Sequence, residues 1–189
     1  MAKDAVYEGA REVRAFAHLA RAAKALIEKS EKDQKGSTYT TMGSLILTAF
    51  TFEAYLNHLG AEKVEFWDEI ESISVKNKYS VMCKLFKITP DYSRRPHQTV
   101  KELFKFRNFM AHGKTELKEV VEDINWKDEH KITPPKTEWE EYCTLKNAKR
   151  AKEDIDKIII ELNSSAGLDP RVFIEPPSSG SITSKNFNE

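Results

Sequence analysis

Cysteine is scarce in this sequence. Cys83 and Cys143 are the only two, far apart and without the paired spacing of a metal site. The count allows one disulfide; two reduced thiols in a reducing compartment are the expectation. Neither sign of charge is in excess, because 30 Lys and Arg balance 30 Asp and Glu. That argues against a bulk electrostatic nucleic-acid binder, which carries a strongly basic surface, but leaves room for a local basic groove. No apolar run is long enough to span a bilayer. Met1-Ala2-Lys3-Asp4 leads into a charged amphipathic stretch, not a secretory leader. The expectation is a cytoplasmic protein with no membrane partner. A glycine-rich phosphate loop, a pair of metal ligands and a serine or cysteine triad are all missing, so neither cofactor nor metal is expected. No internal repeat is visible.

What the chain does have is helical periodicity. Its 189 residues suit one domain with a real core. Val6, Val13, Phe16, Ala17, Ala20 and Ile27 recur at helical spacing and predict a first helix over residues 4–32. After a turn at Lys35-Gly36-Ser37, a second helix is predicted over 38–59. Its stripe is Met42, Leu45, Ile46, Ala49, Phe52, Leu56 and Leu59, with Gly60 as its stop. Residues 62–89 read as a short helix, a turn and another helix ending before Pro90. A loop between Pro90 and Pro96 carries Arg94 and Arg95, which are either solvated or contacts for a backbone phosphate. Residues 114–135 are too irregular for an assignment beyond a short hairpin or one helical turn. A long last helix is predicted from Thr137, with Glu140 completing a capping box, to residue 163. The predicted fold is all-α: a bundle of four to five helices over residues 1–163, with an extended or mobile tail over 164–189. His18, His58, His97 and His130 have no spaced partners and are read as surface residues.

The helix predicted over 97–112 is the most informative. At about 100° per residue it has two faces. Val100, Leu103, Phe104, Met110 and Ala111 form an apolar stripe; Lys101, Lys105, Asn108 and His112 form a polar, basic one. Gly113 offers a left-handed stop. Arg107 falls in the middle of the apolar stripe, and Glu53 falls inside that of the second helix. Each is a charge on a face that should be buried, and each is costly alone. The economical expectation is that the two helices pack antiparallel or nearly so and that Glu53 meets Arg107 in a bidentate pair.

Arg107-Asn108-Phe109-Met110-Ala111-His112 resembles the signature of the HEPN domain: an arginine, a polar residue after it, and a histidine a few residues on. Phe52-Glu53-Ala54-Tyr55-Leu56-Asn57-His58-Leu59-Gly60 is similar to that family's earlier core helix. The resemblance covers residues 1–163 in architecture and these two stretches in detail. It implies a helical bundle that forms a homodimer, with two copies of the motif at one cleft. It also implies RNA cleavage without metal, in a toxin or defence effector held by an antitoxin or regulatory protein. In members paired with a nucleotidyltransferase antitoxin a tyrosine often follows two residues after the histidine. Lys114 stands there, which puts inhibition by nucleotide transfer onto that tyrosine in doubt.

The residue types fit that chemistry. Attack by a 2′-hydroxyl needs a base, an acid for the departing 5′-oxygen, and positive charge for the phosphorane. Histidine titrates near neutrality, so two His112 side chains can share the acid and base roles. Arg107 offers a planar charged fork to phosphate oxygens. Asn108 can hold the imidazole or the phosphate, and Lys101 and Lys105 can steer the RNA backbone. Arg107 and His112 lie about 140° apart around a regular helix and do not share a stripe. The last turn opens, the arginine reaches around, or a dimer joins the two faces. The alternative is a non-catalytic dimeric bundle that binds RNA, a nucleotide or protein. In that case Arg107 is a core ion-pair residue and His112 a favourable C-terminal charge.

Overall fold

The computed structural model describes residues 5–121, 123–127 and 133–184. The chain folds as a mostly helical bundle. Its elements are β1 (Ala5–Ala10), α1 (Ala15–Lys32), α2 (Ser37–Lys63), α3 (Trp67–Ile70), α4 (Val75–Leu85), α5 (His97–His112), α6 (Glu138–Tyr142), α7 (Leu145–Ser165) and β2 (Ser179–Ser184). Among the described residues no helix is long and apolar enough to cross a membrane.

Helices α1 and α2 form a hairpin. Gly36 makes the turn with φ of +76°, a conformation that L side chains rarely adopt. Near the turn Ser30 Oγ meets Thr40 Oγ1 at 2.6 Å. At the far end Phe16 packs edge-on to Tyr55, centroids 5.3 Å apart. Gly60 does not stop α2 as its sequence suggests. The helix runs on to Lys63, and the glycine leaves room for the Trp67 indole, where an added Cβ would collide with the ring.

Helix α7 lies along α2 and α5. Its contacts with the α5 region run in opposite chain directions: Arg95 and Thr99 meet Asp154, Glu102 meets Arg150, and Phe106 meets Tyr142. The two helices are therefore antiparallel. The single helix expected from residue 137 is in fact two. Thr137 and Glu140 form the expected capping box for α6. Thr144 then caps α7, its hydroxyl accepting from the Asn147 backbone N–H at 3.2 Å. The break has its own hydrogen-bonding group, which the apolar stripe hides because it continues across it.

Both chain ends differ from the sequence reading. Residues 5–10 are not helix but β1, paired antiparallel with β2, so that Tyr7 faces Ile182 and Gly9 faces Gly180. The Tyr7 ring lies over both glycines, where a Cβ would touch its hydroxyl. The tail is extended at β2 but anchored before it. Val172 is buried, Phe173 packs on Phe16, and Glu175 meets Arg11, His18 and Arg21. A pairing this distant in sequence leaves no local periodicity to read.

Candidate functional site

Helix α5 begins directly after Pro96. Its residues Thr99, Val100, Leu103 and Phe106 are buried, which fixes the rotation of every other side chain on it. Arg107 is turned toward α2 and is 19% exposed; Glu53, on the facing side of α2, is 32% exposed. The two meet, Nη2 donating to Glu53 Oε2 at 2.6 Å. Beneath the guanidinium lies the Phe104 ring, 5.2 Å from Cζ to centroid. Phe104 in turn packs on Phe52, next to Glu53, at 6.1 Å. The contact differs from the expected bidentate fork, because one nitrogen carries it. Arg107 Nε is buried with no hydrogen-bond partner among the described residues. A buried N–H in that state is a donor held for something else or a local destabilisation of about 1–3 kcal/mol.

Asn108 and His112 lie on the solvent side of α5, both exposed. His112 is the last helical residue, at the end where the helix dipole favours a positive charge. Neither side chain has a hydrogen bond or ion pair among the described residues. Gly113 ends the helix, but not by a left-handed turn: its φ is −60° and ψ 141°. Glycine is needed for space, since a Cβ would lie 2.5 Å from the Phe109 carbonyl oxygen.

The four expected RNA-contacting cations separate into different environments. Lys101 is exposed and without a polar partner among the described residues. Lys105 is exposed and paired with Glu138 of α6. Arg94 Nε meets Asp91 Oδ2 at 2.6 Å within its own loop. Arg95 is half-exposed but not free. Its Nε and Nη2 each donate to a different oxygen of Asp154, both at 2.7 Å, and Thr99 Oγ1 donates to the same carboxylate at 2.5 Å. Asp154 is 1% exposed. Those hydrogen bonds raise the Arg95 pKa, so the guanidinium remains charged. Sequence reasoning missed Asp154, although the signal was there: it is a charge between Ala151 and Ile155 on the apolar stripe of α7, as Glu53 is on that of α2.

The histidines read as surface residues are placed unevenly. His58 is half-buried, its ring 5.1 Å from that of Phe16, and burial lowers its pKa, with the Arg14 charge adding to the effect. His97 Nδ1 is 2.7 Å from the Tyr79 hydroxyl. His18 is exposed beside Glu175. His130 lies outside the described residues.

The chain matches no protein-family model, and neither a curated protein nor a solved structure matches it.

Proposed function

We propose that the protein is a HEPN-type endoribonuclease that acts as a homodimer and needs no divalent metal. The observation that carries this reading is the Glu53–Arg107 contact at 2.6 Å. It joins the two stretches that resemble the family and holds the arginine of the motif at one angle. The substrate is RNA. In the reaction one His112 takes the 2′-hydroxyl proton, the 2′-oxygen attacks the phosphorus, and the P–O5′ bond breaks. The second His112, from the other copy, gives a proton to the 5′-oxygen, leaving a 2′,3′-cyclic phosphate. Arg107 offsets the charge of the phosphorane, and Asn108 holds the imidazole or a phosphate oxygen. A toxin or defence effector, with an antitoxin or regulatory partner, is the biological form of this reading.

A second reading rests on a different observation. Arg107 is already engaged by Glu53, and among the described residues no side chain or backbone group bonds the His112 ring. Both facts favour a non-catalytic bundle of the same family type, binding RNA, a nucleotide or protein. Purified protein incubated with total RNA in EDTA separates the two. The nuclease reading expects fragments ending in 2′,3′-cyclic phosphate and a dimer by light scattering. Intact RNA would leave only the binding reading, and cleavage that EDTA stops would contradict both.

A further inference from the structure

Phe109 and Lys105 lie two residues either side of Arg107 and so project to the opposite side of α5. There, a cleft of about 560 Å³ opens between α5 and α6. Its walls are aromatic: Phe106 and Phe109 from α5, Trp139 and Tyr142 from α6. The Phe109 and Trp139 rings are nearly parallel, 25° apart with centroids at 6.1 Å, and Phe106 and Tyr142 meet at 5.6 Å. The polar lining is three carboxylates and one ammonium, Glu102, Glu138, Glu141 and Lys105. Glu102 is already occupied, by Arg150 and by the Gln98 amide at 2.9 Å. Glu138 has Lys105 as its one ion-pair partner among the described residues, with both side chains about three-quarters exposed, an arrangement worth little in water, and the Lys118 charge also acts on it. The Glu141 side chain has no hydrogen bond or ion pair among the described residues.

We propose that this cleft binds a small organic cation, an ammonium or guanidinium head carried on an apolar body. Aromatic faces attract cations through their quadrupole, and four rings meet here. Glu141 supplies an uncompensated negative charge, and Glu138 exchanges Lys105 for the ligand. The volume is that of a small-molecule pocket. A phosphate-bearing ligand would instead meet an excess of carboxylate, so the cleft is not a second RNA site. The inference is independent of the nuclease reading.

Calorimetry on the full chain tests it, with choline, benzyltrimethylammonium, the neutral choline isostere 3,3-dimethylbutan-1-ol and AMP as probes. Saturable binding of an ammonium is expected, with choline at least about threefold tighter than its isostere. Added salt weakens the charged ligand alone. Glu141→Gln, at an exposed position, weakens choline by roughly threefold with no change in melting temperature. Trp139→Phe keeps an aromatic wall and weakens binding less than Trp139→Ala. Equal affinity for choline and its isostere, tighter binding of AMP, or no saturable binding of either ammonium would overturn the proposal. Tighter binding of a basic tripeptide than of either ammonium would overturn the small-ligand assignment.

Discussion

Glu53 and Arg107 meet between α2 and α5 through a single 2.6 Å hydrogen bond, with the Phe104 ring beneath the guanidinium. Both charges were visible in the sequence as breaks in apolar stripes. Their meeting gives the two charges one part-buried polar contact in place of two stranded ones. It also states what each residue does for the other: the carboxylate fixes where the arginine points, and the arginine keeps the carboxylate from being stranded.

Glu53→Gln keeps the shape and removes the charge. We expect about 1–2 kcal/mol of lost stability, measured by urea unfolding, because Arg107 keeps a neutral acceptor. On the nuclease reading, RNA cleavage should fall strongly with no change in oligomeric state. If only stability falls, the contact is structural and does not orient a site.

Arg95 and Arg94 are adjacent in sequence and opposite in role. Removing the Arg95 side chain strands a carboxylate that is 1% exposed, so Arg95→Ala should destabilise by roughly 2–4 kcal/mol, discounted for the half-exposed guanidinium. Thr99→Val should cost about 1 kcal/mol. Arg94→Ala, whose partner is a loop aspartate at the surface, should leave the unfolding midpoint unchanged. Equal effects of the two arginine variants would contradict this division.

The Gly60 position tests the packing of α3 on α2. An added methyl meets the buried Trp67 indole, so Gly60→Ala should cost about 1–3 kcal/mol despite alanine's better helix propensity. A melting temperature that rises would show that Trp67 can move aside.

His58 gives the stability a pH dependence whose sign is fixed. Burial places its folded pKa below its ordinary value of 6.5, so the unfolded chain binds the proton first. Above that value the residue contributes no slope. As pH falls through it, protonation favours the unfolded chain and stability drops, until the folded pKa is passed. The difference in urea midpoint between wild type and His58→Asn should therefore change between pH 7.5 and 5, to the disadvantage of the wild type at the acid end. A constant difference would mean that the ring is solvated.

The sequence disclosed this fold where the signal is local. The stripes of α2 and α7, Val100 and Leu103 of α5, the capping box at Thr137 and the two anomalous charges can all be read from neighbours within a few turns, whereas Ala111, read on the apolar stripe of α5, is exposed, and Thr99 and Phe106 are buried in its place. It concealed what depends on distant partners. Val6 and Val13 are spaced as on a helix, yet residues 5–10 pair with Ser179–Ser184 from the other end of the chain. Val172 and Phe173 sit in a polar, proline-containing tail and still reach the core. Gly60 and Gly113 are glycines for clearance, against Trp67 and the Phe109 carbonyl, not for a left-handed turn. At the site, the motif itself is legible in sequence, but the engagement of Arg95 by Asp154 and of Lys105 by Glu138 is not.

His112 gives the most direct test of the nuclease account. It is exposed at the end of α5 and its side chain has no polar contact among the described residues, so replacing it should leave the fold intact and, on the nuclease reading, remove the chemistry. The measurement is the rate of RNA cleavage in EDTA by wild type and by His112→Ala at matched concentration, with melting temperature recorded for both. The account predicts an unchanged melting temperature and a rate at least about 100-fold lower, the scale of a lost general acid–base group. Cleavage that survives the substitution, or a wild type that does not cut RNA, would contradict it.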